Sequence, residues 1–232
     1  MHTAPFRPGL SRVLVIALLA TAALLALAAA ANAATLHFNR ACYVFKKHRP
    51  VASVTGSGYT PGALVDVQSR SGFDLSLTAN AAGQIAGHGG APIPPLAAKA
   101  KRFTAKAIEF GSDGSETTVA TASSHVAAFA ASHGAGKHKL PGNRALAEKV
   151  KWAFSGFPVH RKIYGHYLHG GRLVAAQKFG RAKRPCGTLV VHKRGYPGNP
   201  RHSSYTVQLD AHKKYSKKTK PHLRLKVALS IF

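Results

Sequence analysis

The final segment of the chain constrains the fold most, because apolar and polar residues alternate strictly through it. From Leu223 to Ile231 every second residue is a branched apolar one, and Arg, Lys, Ala and Ser lie between them. This period of two is typical of a β-strand with one buried and one solvent-facing side. Val150, Trp152 and Phe154 alternate in the same way with less apolar neighbours. Strands of this kind require a partner sheet, so the sequence predicts an all-β protein.

Turn signals separate the predicted strands at short intervals. Tyr59-Thr60-Pro61-Gly62 combines a proline, which presets φ, with a glycine, which accepts a positive φ. Ser155-Gly156-Phe157-Pro158 takes the corresponding place in the second half. Gly170-Gly171 lies between two apolar stretches, Ile163 to His169 and Arg172 to Phe179, and predicts a hairpin. Short strands with regular turns predict two β-sandwich domains in tandem.

Charge divides the chain unevenly and suggests where one domain ends. Residues 35–130 contain nine Lys and Arg and five acids, whereas residues 131–232 contain 22 Lys and Arg and two acids. The stretch between the two halves is rich in Ala, Gly, Ser and His and has no apolar periodicity. We therefore predict a first domain over 35–128, a linker over 129–146 and a basic second domain over 147–232.

The N-terminal segment has the pattern of a secretion signal. Arg7 and Arg12 precede an almost unbroken Ala and Leu run, and the run ends at Ala31-Asn32-Ala33. A basic start, an apolar stretch and small residues before a cut predict a signal helix, residues 1–33, that is removed after Ala33. The competing interpretation is a retained membrane anchor, because the apolar run is nearly long enough to span a bilayer.

A resemblance to known proteins supports the same fold. The pattern Gly56-x-Gly58-Tyr59-x-Pro61-Gly62-x-x-Val65 resembles the first hairpin of bacterial immunoglobulin-like domains, including the transcription-factor/plexin type. More broadly, the order of features resembles secreted proteins of high-GC Gram-positive bacteria, a group that brings no known activity. The resemblance implies export and two immunoglobulin-like domains, not a chemistry. Its further motifs are Gly156-Phe157-Pro158, Ile163-Tyr164-Gly165-His166-Tyr167, Phe179-Gly180-Arg181-Ala182 and Pro185-Cys186-Gly187-Thr188-Leu189.

Cys42 and Cys186 are the only cysteines, so a single intramolecular disulfide is possible. Export permits such a bond. Closing so long a loop would stabilise the fold by about 4–5 kcal/mol on the chain-entropy model. The alternative is two separate thiols, with Cys42 buried.

Enzymatic chemistry has little support in the sequence. The seven carboxylates form no recognisable acid/base pair, and no Gly-x-Ser-x-Gly motif is present. Cys186 and His192 lie too far apart on a strand to form a local nucleophile and base. His166 and His169 could ligate a metal only if the turn beside them brought them together, and most of the 14 histidines are expected on solvated faces. We predict no catalytic residue, no metal site and no cofactor. The rival hypothesis is that the protein is an exported enzyme, or an accessory domain of an enzyme, with an unrecognised site.

The strongest functional signal is positive charge. Clusters at 178–184 and 213–220 would create a field that attracts polyanions, with Tyr215 inside the second cluster. The sequence contains no helix-turn-helix or zinc-finger pattern, so it does not predict sequence-specific recognition of nucleic acid. We expect a secreted protein that associates with anionic cell-wall polymers or other extracellular polyanions. It would contact the membrane only if residues 1–33 are retained. The alternative is a charged surface without a particular ligand. No pattern specifies an oligomeric state. The predicted contributors are Arg181, Lys183, Arg184, Lys213, Lys214, Lys217 and Lys218.

Overall fold

The computed structural model describes residues 33–137 and 139–229, and strands dominate both ranges. The predicted signal peptide lies outside these ranges except for Ala33. Within the two ranges, no helical segment has the length and apolar character that a membrane crossing requires.

The first half of the described chain forms two facing sheets. β1, β3 and β6 make a three-stranded sheet, and β2, β8, β7, β4 and β5 make a five-stranded one in that order. All neighbours are antiparallel except β2 and β8. The strands are β1 (Thr35–Phe38), β2 (Tyr43–Phe45), β3 (Val51–Ser57), β4 (Leu64–Ser69), β5 (Phe73–Thr78), β6 (Gln84–Gly90), β7 (Ala100–Phe110) and β8 (Glu116–Ala128).

Alternate residues of these strands fill the space between the two sheets. Val65 and Val67 of β4 are fully buried, whereas their neighbours are at least partly exposed. Phe38, Phe73 and Phe103 pack edge-on or tilted against one another with ring centroids 5.0–6.5 Å apart. Burying such side chains contributes most of the stabilisation of a sandwich.

The second half forms another pair of sheets. β13, β10 and β9 make one, and β12, β11, β14 and β15 make the other. The predicted hairpin around Gly170-Gly171 is confirmed as β11 and β12. The predicted last strand is present as β15, and residues 230–232 lie outside the described ranges. The elements are β9 (Ala130–His133), a 3-10 helix (Gly142–Ala147), β10 (Lys149–Ser155), β11 (Lys162–His169), β12 (Arg172–Arg181), β13 (Leu189–Arg194), β14 (Ser204–Asp210) and β15 (Leu223–Ala228).

Trp152 is the centre of the second core. It is fully buried and packs against Phe154 and Phe179, whose ring centroids lie 6.1 and 4.7 Å away. Val150, Trp152 and Phe154 are all buried, as their alternation predicts. The all-β, tandem-sandwich fold class is therefore confirmed for the described residues.

The predicted linker contains regular structure. β9 pairs with β10 from Trp152↔His133 to Ser155↔Ala130, and the 3-10 helix buries Ala145 and Leu146. The local sequence of β9, Ala-Ala-Ser-His, does not predict a strand because apolar and polar residues do not alternate in it. β9 is a strand because it pairs with β10, which is a tertiary effect. The strand pairings divide between residues 35–128 and 130–228. The finer domain boundaries stay a prediction.

The disulfide between Cys42 and Cys186 is formed, which confirms the predicted pairing and excludes the hypothesis of a free Cys186 nucleophile. It joins the segment before β2 to the turn between β12 and β13, with the Cα atoms 5.4 Å apart. The turn is tightly packed: Gly187 has a φ of 63°, and a Cβ there would lie 1.6 Å from the carbonyl oxygen of Phe157. Only glycine fits this position.

Candidate functional site

A groove of about 640 Å³ lies on the outer side of the four-stranded sheet, beside the loop 211–222 that joins β14 to β15. We call it the cationic groove, because five of its lining residues are Lys or Arg and none is Asp or Glu. Its lining residues are His160, Arg161, Lys162, Tyr164, Arg181, Ala211, His212, Lys213, Lys214, Tyr215, Ser216 and Thr219.

Two separate elements supply the cations of the groove. Lys162 at the start of β11 pairs with Arg181 at the end of β12, and the Ala182 amide donates to the carbonyl of Arg161 at 2.9 Å. This antiparallel register places Arg161, Lys162 and Arg181 together. Lys213 and Lys214 come from the loop, and all five side chains are exposed. Like charges held together in a concave surface strengthen the field that an anion meets.

His160 has a backbone conformation that is unusual for a residue with a side chain. Its φ is 64°, and it is the one non-glycine residue with a positive φ within the described ranges. The left-handed conformation costs about 1 kcal/mol. The His160 amide donates to the carbonyl of Ala182 at 2.9 Å, which holds the turn at the edge of the groove.

Three polar residues are fully buried beneath the loop: His166 of β11, and Gln208 and Asp210 of β14. His166 is opposite Gln208 in the strand register, and all three lie on the face of the sheet that points away from the apolar core. An outer sheet face normally meets water, but loop 211–222 covers this one. We call these residues the buried polar set.

The buried polar set fixes the loop at two points. The amide of His212 donates to Asp210 Oδ1 at 2.8 Å, and His166 Nε2 lies 3.1 Å from the carbonyl oxygen of His212. Gln208 Nε2 donates to Asp210 Oδ2 at 3.0 Å and to the carbonyl of Ser216 at 2.8 Å. Backbone groups of the loop are therefore bonded on both sides of Lys213 and Lys214.

The carboxyl of Asp210 is stabilised in its ionised form. Burial alone raises its pKa, but hydrogen bonds from His166, Gln208 and the His212 amide together outweigh burial and hold the pKa below its ordinary value. His166 Nε2 lies 3.5 Å from Asp210 Oδ1. Because both neighbours of Nε2 accept hydrogen bonds, Nε2 carries a proton and donates.

Unsatisfied polar atoms concentrate at this place. His166 Nδ1, Gln208 Oε1 and the Tyr215 hydroxyl are three of the four buried side-chain polar atoms that have no hydrogen-bond partner within the described part of the chain. Each such atom either binds a water or remains unsatisfied at a cost of about 1–3 kcal/mol. Tyr215 packs on His166 with ring centroids 5.6 Å apart. Polar groups that the fold itself leaves unpaired are common at functional sites.

A smaller depression of about 330 Å³ lies on the other side of Tyr215. Lys217 and Arg224 line it together with Thr206, Leu168 and the Gly170-Gly171 turn. Because Tyr215 lines both concave surfaces, the smaller depression continues the positive surface beyond the cationic groove.

The predicted contributors divide into three groups. Arg181, Lys213 and Lys214 line the cationic groove, and Lys217 lines the smaller depression. Lys183, Arg184 and Lys218 are exposed but line neither. Sequence reasoning missed the buried polar set, because it assigned the outer face of each strand to solvent.

The two histidines considered for a metal do not come together. His166 is the one buried histidine among the described residues, whereas His169 is exposed and stacks on His202 with ring centroids 3.5 Å apart. No group of three or more His, Cys, Asp or Glu in residues 33–137 and 139–229 is arranged to hold a metal ion.

The comparisons with known proteins find distant similarity only. No protein-family model and no curated protein matches the sequence. A tetra-tandem repeat from the extending region of a large adhesion protein is 11% identical with a TM-score of 0.31; the match covers 87% of this chain and 49% of that one. A bacterial ice-binding adhesin is 11% identical with a TM-score of 0.30, covering 84% and 63%. A DUF3823 family protein from Bacteroides ovatus is 13% identical with a TM-score of 0.26, covering 85% and 99%. The chain spans less than two thirds of both adhesin structures, and similarity at this level carries no functional conclusion.

Proposed function

We propose that this is a non-enzymatic binding protein that acts outside the cytoplasm and associates with anionic polymers through its basic second sandwich. The observation that carries the proposal is the cationic groove, where five Lys and Arg side chains share one concave surface without a carboxylate. Such a surface attracts a polyanion over several ångströms and binds it through many weak ion pairs.

The chemistry of the protein supports a location outside the cytoplasm. A disulfide between two buried or half-buried cysteines persists in oxidising compartments and is rare where thiols are kept reduced. Together with the predicted signal peptide, this favours secretion. In bacteria the anionic polymers of the cell wall would then be the most abundant partners, and the positive surface would keep the protein attached to the envelope.

Binding should weaken steeply with salt. Neutralising about five anionic groups releases their counterions, so we expect the affinity for an anionic polymer to fall about a hundredfold between roughly 50 and 200 mM salt. The measurement is retention on an immobilised polymer, such as polygalacturonate, over a series of salt concentrations. A column that carries dextran, a neutral polymer, is the matched control.

Two results would contradict the proposed function. One is absence of retention on polygalacturonate at low salt, and the other is retention that does not respond to salt. Equal retention on dextran would show that attraction to carboxylates is not the cause.

The mature N-terminus gives an independent test of export. When the full chain is produced in a secreting host, we expect the intact mass of the exported protein to correspond to a chain that begins at Ala34. A mass that includes residues 1–33 would instead support the membrane-anchor alternative, and Arg7 and Arg12 would then remain on the cytoplasmic side.

A further inference from the structure

We propose that the cationic groove is a prepared site for one stretch of an acidic polysaccharide, and that the buried polar set positions loop 211–222 to form it. This rests on the proposed function, since it names the ligand class and the architecture of the same surface. It goes further because it replaces a diffuse positive surface by one defined groove with identifiable residues.

The groove is fixed before a ligand arrives. Gln208 bonds the carbonyl of Ser216 at 2.8 Å, and Asp210 bonds the amide of His212 at 2.8 Å. These bonds flank Lys213 and Lys214, so the backbone that carries both lysines is held. A site that is ordered in advance loses less conformational entropy when it binds.

Structurally unusual residues collect at the groove. His160 is the one described non-glycine residue with a positive φ, and three of the four partnerless buried polar atoms lie in His166, Gln208 and Tyr215. Replacing a buried polar network by apolar residues of similar volume is often neutral or stabilising, so stability alone does not explain this one. When strained and unsatisfied groups gather on one surface, they indicate a function at that surface.

The side chains of the groove indicate the class of ligand that it would bind. Besides its cations, the groove offers the hydroxyl groups of Ser216 and Thr219 and the imidazoles of His160 and His212. These groups donate to and accept from sugar hydroxyls, while the guanidinium groups of Arg161 and Arg181 suit carboxylate or sulfate oxygens.

Nucleic acid fits the groove less well. Single-stranded nucleic acid is bound by exposed aromatic rings on which bases stack. The two aromatic residues of the groove, Tyr164 and Tyr215, are both half-buried, and the hydroxyl of Tyr215 is fully buried. The groove therefore has no fully exposed tyrosine, phenylalanine or tryptophan ring for base stacking.

The experiment compares two double variants with the same change in charge. Arg161→Gln/Arg181→Gln removes two cations from the groove, and Arg172→Gln/Arg194→Gln removes two exposed arginines outside it. Affinities are measured for polygalacturonate and dextran sulfate oligosaccharides at constant salt. We expect the groove variant to bind both about tenfold more weakly, and the control to change less than about threefold.

Equal losses in the two variants would overturn the defined site while leaving the proposed function intact, because net charge would then suffice. Failure of the unmodified protein to bind either oligosaccharide would contradict the proposed function itself. A single-stranded oligonucleotide with the same number of charges is the third ligand, and tighter binding of it than of either oligosaccharide would reject the ligand class.

The positioning role of the buried polar set has its own variant. Gln208→Met keeps the volume of the side chain but removes its bonds to Ser216 and to Asp210 Oδ2, so loop 211–222 is released on one side. We expect weaker oligosaccharide binding with an unchanged number of salt-dependent contacts, because no charge is lost. Unchanged affinity in a folded Gln208→Met protein would exclude positioning.

Discussion

Replacing both Cys42 and Cys186 by serine will lower the free energy of unfolding by about 4–5 kcal/mol. The bond joins residues 144 positions apart, and its removal returns the entropy of that long loop to the unfolded chain. Among single features of this protein we expect none to contribute more. Urea unfolding followed by the fluorescence of Trp152, which is fully buried, measures the change.

Reduction provides the control for this prediction. The unmodified protein in the presence of a thiol reductant should unfold at the same urea concentration as the double serine variant. If the variant loses less than about 1 kcal/mol, the two sandwiches are held by their non-covalent contacts, and the chain-entropy account does not apply here.

Replacing Asp210 by asparagine will lower the free energy of unfolding near neutral pH by about 2 kcal/mol, and the loss will shrink in acid. The pKa of Asp210 lies below its ordinary value in the folded protein. Asp210 therefore contributes stability that is fully present above the ordinary pKa near 3.8, and this contribution is lost as the pH falls through the lowered pKa. The magnitude reflects charge-assisted hydrogen bonds to a buried acceptor.

Unfolding curves for the original protein and for Asp210→Asn between about pH 2 and 7 measure this difference. Asp74→Asn is the matched control, because Asp74 is an exposed strand residue and its replacement should leave the curves superposed. A difference between Asp210→Asn and the original protein that stays constant down to the lowest pH would show that the ionised carboxylate is not the stabilising form.

Sequence reasoning predicted the strands whose own residues alternate, and it failed where a strand or a surface is defined by distant parts of the chain. β10, the β11–β12 hairpin and β15 follow from alternation and from the Gly170-Gly171 turn. β9 does not, since its four residues are small or polar and only the pairing with β10 makes them a strand.

The candidate site shows the same division. Arg181, Lys213 and Lys214 were predicted from charge clusters, and the register of the hairpin brings Arg161 and Lys162 to them. The burial of His166 and Asp210 could not be read from periodicity, because it results from a loop that folds back over the outer sheet face. The one available signal was the rarity of acids, because Asp210 is one of only two carboxylates among residues 131–232.

The disulfide also determines how this protein would respond to mechanical load. If tension acts between the two ends of the chain, it passes through the covalent bond and bypasses the residues enclosed between Cys42 and Cys186. Those 144 positions correspond to an extended length of about 500 Å that a pulling force cannot draw out. Such tension could lengthen the protein only through the segments outside the bond, of which the C-terminal one contains β13, β14 and β15.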